Sequence, residues 1–133
     1  MSEGIENKIK QKYIDICEFN KLNSAVKEIS PDIVFHLAAQ PLVRESYERT
    51  IETFNTNVIG TLNVLESCKN LGTNVNFICI TTDKCYENNE FGERFIESDP
   101  MGGKDPYSAS KACTEILTKS YDVEYRRYLR GDI

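Results

Sequence analysis

Two short runs constrain this chain more than any other feature: Ile33 to Leu37 (IVFHL) and Asn76 to Thr82 (NFICITT), where apolar residues follow one another instead of alternating. A strand with one wet face alternates apolar and polar positions, whereas a central parallel strand with helices on both faces is apolar throughout. Parallel strands also require long crossovers, and the segments around these runs have helical period. Phe19, Leu22, Val26 and Ile29 stand three and four apart, an apolar stripe on a helix from Glu18 to Ser30 that Pro31 stops. Pro41 to Leu71 reads as helix in one or two pieces, with Val58, Leu62, Leu65 and Cys68 on one stripe and Gly72 as the stop. Tyr13 to Ile16 reads as a further short strand. A last helix is expected from Pro106, which suits the first helical position behind a capping Asp105, to about Tyr125. The order predicts an α/β fold on a parallel sheet, and no repeat or flexible linker divides residues 1–133.

Composition narrows the function classes. With 16 Lys and Arg against 21 Asp and Glu, the net charge of -5 argues against a nucleic-acid binder that neutralises phosphates. No apolar stretch is long enough to span a bilayer and the amino terminus lacks a signal-peptide core, so a soluble, cytoplasmic chain is expected. Five cysteines without a CxxC pair suggest neither a disulfide framework nor a zinc ribbon, and no metal site is expected. The single histidine, His36, lies inside an apolar run and reads as a core residue.

Chemistry concentrates at two places. In YSASK, Tyr107 and Lys111 are four apart, one turn along the same helix face. An ammonium and a helix amino terminus both favour a phenolate, which makes Tyr107 a candidate base for a hydroxyl proton. Such a pair is also an ordinary surface pair on many helices, and its context decides. Thr81, Thr82, Asp83 and Lys84 stand at the carboxyl end of the second strand, where open α/β sheets hold their ligands. The 24 residues from Asp83 to Pro106 have no period, and a loop that long inside a compact domain is usually functional.

These residues resemble the extended short-chain dehydrogenase/reductase family, also called the NAD-dependent epimerase/dehydratase family, and within it the CDP-glucose 4,6-dehydratases. The resemblance is carried by PDIVFHLAAQPLVRESY (Pro31 to Tyr47), NTNVIGTLNVLE (Asn55 to Glu66), TTDKCYEN (Thr81 to Asn88) and DPMGGKDPYSASKA (Asp99 to Ala112). It implies a Rossmann-type, doubly wound parallel sheet and NAD as cofactor. It also implies conversion of CDP-glucose to CDP-4-keto-6-deoxyglucose. Tyr107 would accept the hydroxyl proton at carbon 4, with Lys111 lowering its pKa and holding the nicotinamide ribose, while Thr82 orients the substrate. Lys84 would remove the carbon 5 proton and Asp83 would protonate the hydroxyl leaving carbon 6. A lysine base needs a depressed pKa, supplied by desolvation or neighbouring cations.

The resemblance further matches Leu37, Ala38, Ala39 and Gln40 to the stretch lining the nicotinamide, and Asp15 and Ile16 to the pair that contacts adenine. For Asp15 a helix-capping role is an equal alternative. Asn57 and Arg44 fall on the substrate side, and Arg44 reads equally well as a solvated charge. The helices around Thr56 to Leu71 and Tyr107 are where family members pair into homodimers.

The family's glycine-rich turn is not found. The seven glycines, at 4, 60, 72, 92, 102, 103 and 131, contain no GxxGxxG spacing. The family's first two strands with the intervening helix, and its carboxyl-terminal substrate domain, have no counterpart here, so the chain reads as an internal part of a Rossmann domain with weak NAD binding and no activity alone. In the sheet order 3-2-1-4-5-6 the run Ile33 to Leu37 would then have a free apolar edge. Two other readings remain: a related nucleotide-sugar epimerase or dehydratase, and a non-catalytic interaction module. A separate chain supplying the absent half is a further possibility.

Overall fold

The computed structural model describes residues 9–87 and 94–130, with side chains described as far as residue 121. The amino-terminal MSEGIENK, Asn88 of the TTDKCYEN stretch, the middle of the long loop and residues 131–133 lie outside the described residues. The elements are α1 (Phe19–Ile29), β1 (Ile33–His36), α2 (Val43–Glu48), α3 (Thr50–Phe54), a π-helical turn (Asn55–Ile59), α4 (Gly60–Lys69), β2 (Asn76–Cys79), a 3-10 turn (Asp83–Cys85) and α5 (Pro106–Arg130). The two strands pair in parallel, with Ile33 opposite Asn76 and His36 opposite Cys79. No helix among the described residues is long and apolar enough to cross a membrane.

Local chemistry sets several of these boundaries. Ser30 takes the left-handed conformation that closes α1, and its N–H returns to the carbonyl of Val26 at 2.8 Å. Gly72, with φ 66°, turns the chain after α4, as a residue without Cβ can. Asp105 caps α5: one carboxylate oxygen accepts from the Ser108 N–H at 2.9 Å and the other from its hydroxyl at 2.6 Å. The stretch expected to be helical from Pro41 starts two residues later, at Val43, and breaks at Arg49, whose backbone is non-helical.

Two expectations need correction. Tyr13 to Ile16 is no strand, because nothing among the described residues offers it a ladder of backbone partners. Instead its last residue is held on α4, where the Asn63 amide donates to the Ile16 carbonyl at 2.9 Å and the Ile16 side chain packs against Gly60, while Tyr13 is exposed. Among the described residues, moreover, helices cover one face of the sheet. Val34, His36, Phe77 and Cys79 face the helices, with His36 bonded to Thr61 of α4, and Phe77 sharing a cavity with Leu65 and Cys68 of α4 and Thr118 of α5. On the opposite face Ile33, Phe35, Leu37, Ile78 and Ile80 are all exposed, Phe35 to 63%. The continuous apolar pattern that predicted two covered faces is therefore half used by the described residues.

Candidate active site

The site forms where the carboxyl ends of both strands meet the first turns of α5. Beyond β1, Gln40 is held from α5's side of the molecule by Asn57 in the π-helical turn. The Asn57 carbonyl oxygen accepts from the Gln40 N–H at 2.7 Å, and its NH2 donates to the Gln40 carbonyl at 3.1 Å and to the Ser110 hydroxyl at 2.8 Å. Asn57 is 1% exposed and all its polar groups are committed within the protein. Assigned to the substrate side by resemblance, it is seen to fix the backbone that the resemblance places against the nicotinamide.

Beyond β2, successive residues are fastened to successive turns of α5. The Lys111 ammonium donates to the Ile80 carbonyl at 3.0 Å, and the Thr81 hydroxyl donates to the Glu115 carboxylate. Lys111 is only 6% exposed. Burial pushes its pKa down, while Cys79 and Glu115 act in the other direction. Thr82 caps the 3-10 turn that follows: its hydroxyl accepts from the Lys84 N–H at 3.3 Å and donates to the Asp83 carboxylate at 3.2 Å. The Lys84 ammonium lies 3.8 Å from that carboxylate.

The far side of this turn is braced by the returning loop. Glu87 N–H donates to Pro100 O at 2.8 Å and Gly102 N–H to Cys85 O at 2.9 Å. Gly103 then lies directly on the first turns of α5, where a Cβ would fall 2.2 Å from the Ala109 nitrogen. Gly103 in GGKDPYSASK is thus a packing requirement, which brings the Asp83–Lys84 turn beside the helix that carries Tyr107. Tyr107 itself is half-buried, and its N–H donates to the hydroxyl of fully buried Ser46 at 3.1 Å. That bond docks α2, and with it exposed Arg44, onto the start of α5.

Thr82, Asp83, Lys84, Tyr107 and Lys111 are therefore gathered around one helix end, with Leu37–Gln40 linked to them through Asn57 and Ser110. Ile16 is held on α4, and Asp15 beside it bonds only within its own turn among the described residues. The Asp15 carboxylate accepts from the Cys17 N–H at 2.8 Å, a local turn just before α1 and not its cap. The desolvation that a lysine base requires is not provided by the described residues, since the side chains of Lys84 and Asp83 are 58% and 73% exposed. Ser46, Ser110 and Glu115 escaped the sequence reading. For Glu115 a signal existed, because it stands four residues after Lys111 on the same helix face.

The GDP-mannose 4,6 dehydratase family model matches residues 1–130. The chain belongs to this family. It is 50% identical over 107 residues to the CDP-glucose 4,6-dehydratase of Salmonella typhimurium, covering 80% of this chain and 30% of that protein. Over 126 residues it is 36% identical to the human dTDP-D-glucose 4,6-dehydratase, covering 93% and 35%. The UDP-glucose 4-epimerase of Thermus thermophilus, solved in complex with NAD, superposes with a TM-score of 0.77 at 30% identity, over 94% of this chain and 42% of that one. The dTDP-glucose 4,6-dehydratase of Streptomyces venezuelae, solved with NAD bound, gives 0.76 at 28%, over 84% and 34%. The fold is thus the Rossmann-type one of NAD-dependent epimerases and dehydratases, and this family member spans about a third of the length of the curated relatives it matches.

The residues present suit one end of a dinucleotide. Exposed Leu37 and Ala38 leave an open apolar shelf at the carboxyl end of β1, suited to a flat ring, and Asn57 fixes the backbone of Gln40 just beyond it. For a pyrophosphate the chain has no matching turn, since its glycines lack the required spacing.

Proposed function

We propose that this chain carries the acid–base centre of a cytoplasmic, NAD-dependent nucleotide-sugar dehydratase acting on CDP-glucose. The observation that supports this most is the Asp83–Lys84 turn fastened beside Tyr107 and Lys111, since an elimination needs an acid and a base in addition to the group that handles the alcohol proton. The half-identical relative, a CDP-glucose 4,6-dehydratase, supports the nucleotide.

In this reading Tyr107 takes the proton of the carbon 4 hydroxyl and Thr82 aligns that hydroxyl. Lys111, driven toward a lower pKa by burial, places its positive charge one helical turn from Tyr107 and holds the nicotinamide ribose. When bound, NAD would supply the redox chemistry, accepting hydride from carbon 4 and returning it to carbon 6 while a proton returns to carbon 5; Leu37–Gln40 would line its nicotinamide end and Asp15–Ile16 its adenine end. Lys84 takes the carbon 5 proton, made acidic by the neighbouring ketone, and Asp83 hands a proton to the hydroxyl leaving carbon 6. Arg44 lies on the substrate side, and closure around the sugar supplies the desolvation that Lys84 lacks here.

Residues 1–133 form part of one NAD(P)-binding Rossmann domain. Alone, the chain binds NAD weakly and does not turn over, because it has no pyrophosphate cradle. Calorimetric titration checks this, and saturable micromolar binding would contradict it. The activity is tested by exchanging the matched segment of the Salmonella enzyme for residues 9–121 of this chain. A folded hybrid that forms the 4-keto-6-deoxy sugar supports the reading; one that folds and binds NAD but gives no product overturns it.

The UDP-glucose 4-epimerase likeness favours a second reading, a related epimerase. An epimerase has no use for Asp83 and Lys84 as an elimination pair, so those two residues discriminate. A homodimer fits the exposed Ile51, Ile59 and Ile116 on the helices after β1 and on α5. Light scattering after size exclusion tests it, and a monodisperse dimer without enzymatic function would support the interaction-module reading instead.

A further inference from the structure

We propose that Glu115 is a positioning residue that sets the register of the Thr82–Asp83–Lys84 turn on α5. The chain leaves β2 with the Ile80 N–H donating to the His36 carbonyl at 3.0 Å, the last backbone bond to the sheet among the described residues. From there two side chains one helical turn apart take over. Lys111 holds the Ile80 carbonyl and Glu115 holds the Thr81 hydroxyl, so adjacent residues of the exit are pinned to adjacent turns of one helix. The 3-10 turn begins at once, with the Cys85 N–H donating to Thr82 O at 3.3 Å and the Tyr86 N–H to Asp83 O at 3.2 Å. Those two bonds are long and Asp83 and Lys84 face solvent, so the turn has little rigidity of its own. Its placement comes from the Glu115 clamp on one side and the Gly102–Cys85 bond on the other.

Glu115 also supplies charge. Its carboxylate is half-buried near the Lys111 ammonium, whose burial it partly offsets. One side chain therefore serves both halves of the site: it holds the acid–base turn through Thr81 and supports the charge of Lys111. Its importance for turnover rests on the dehydratase reading above, whereas the clamp itself does not.

The test separates the two. In the full 133-residue chain, amide exchange is followed by NMR. Glu115→Ala is expected to speed exchange at Cys85 and Tyr86 about tenfold while α4 amides such as Val64 and Cys68 stay within about twofold. Glu115→Gln, which keeps an acceptor for the Thr81 hydroxyl, is expected to restore most of that protection, and Thr81→Val to reproduce the alanine result. Unchanged exchange at the turn, equal loosening of α4, or a glutamine variant no better than alanine would each overturn the clamp. In the Salmonella hybrid, Glu115→Ala is expected to lower kcat about tenfold with KM within about twofold, and Glu115→Gln to recover most of it. A hybrid inactive with glutamate at 115 would count against the dehydratase reading and leave the exchange result standing.

Discussion

The side-chain amide of Asn57 grips the backbone of Gln40 at both polar atoms, accepting at 2.7 Å and donating at 3.1 Å, as a neighbouring strand would. A residue from a helical turn thus does for the chain beyond β1 what the sheet no longer does. The second NH2 proton reaches Ser110 on α5, so three segments meet at one carboxamide.

Asn57→Ala is expected to leave the Gln40 amide and carbonyl without their partner and to cost about 3 kcal/mol, since each polar group stranded away from water costs about 1–3 kcal/mol. Urea denaturation measures it. A loss under about 1 kcal/mol would show that water replaces the amide freely.

Gly103→Ala would set a Cβ 2.2 Å from the Ala109 nitrogen and 2.4 Å from the Ser108 carbonyl carbon, both backbone atoms of a helix that cannot yield. The loop must lift away, and a loss of at least about 2 kcal/mol is expected. Chemical-shift changes should concentrate at Cys85–Glu87 and Ser108–Ala109. Stability and shifts like those of the unsubstituted chain would refute the close approach.

His36 makes stability depend on pH. It is 6% exposed, bonded to Thr61 at 2.9 Å and stacked on Phe77, and burial first, then the nearby Lys111 charge, push its pKa from 6.5 to about 4. Because the Thr61 hydroxyl donates to the Asn57 main-chain carbonyl, the imidazole Nε2–H is the donor to Thr61, and burial keeps the ring neutral. The unfolded chain binds a proton at a higher pH than the native one, so the contribution is complete above pH 6.5 and fades as pH falls toward 4, by about 3 kcal/mol at most. His36→Gln, which can still donate to Thr61, should flatten that part of the stability profile. An unchanged slope would assign the dependence to other groups.

Lys84→Met in the hybrid enzyme is expected to cut formation of the 4-keto-6-deoxy sugar at least about a hundredfold, while the first oxidation, read as reduction of NAD, continues. Loss of both steps together would mean that Lys84 binds substrate and is not the elimination base.

Much of this site was legible in the sequence because its signals are local. Tyr107 and Lys111 at helical spacing, Asp105 and Pro106 as a cap, and Thr82 to Lys84 at a strand end each depend on residues within a few positions. What Ser46, Ser110 and Glu115 do was not legible, since each acts on a segment more than thirty residues away, Tyr107, Asn57 and Thr81 respectively, and the spacing of Glu115 from Lys111 does not reveal Thr81. Gly103 reads as a loop residue until α5 is seen lying against it.

The failed strand at Tyr13–Ile16 makes the same division from the other side. Apolar periodicity along the chain determined that β1 and β2 are strands, that α1, α4 and α5 are helices and that the pattern is parallel α/β, because burial of a face follows from residue order alone. Whether an extended stretch becomes a strand depends on a partner's backbone groups, and those are given only by the tertiary arrangement. It left Tyr13 exposed, Ile16 against α4 and the Phe35 face of the sheet open. The same arrangement placed Glu115 and Lys111 across from the exit of β2, a choice that helix packing makes and spacing cannot.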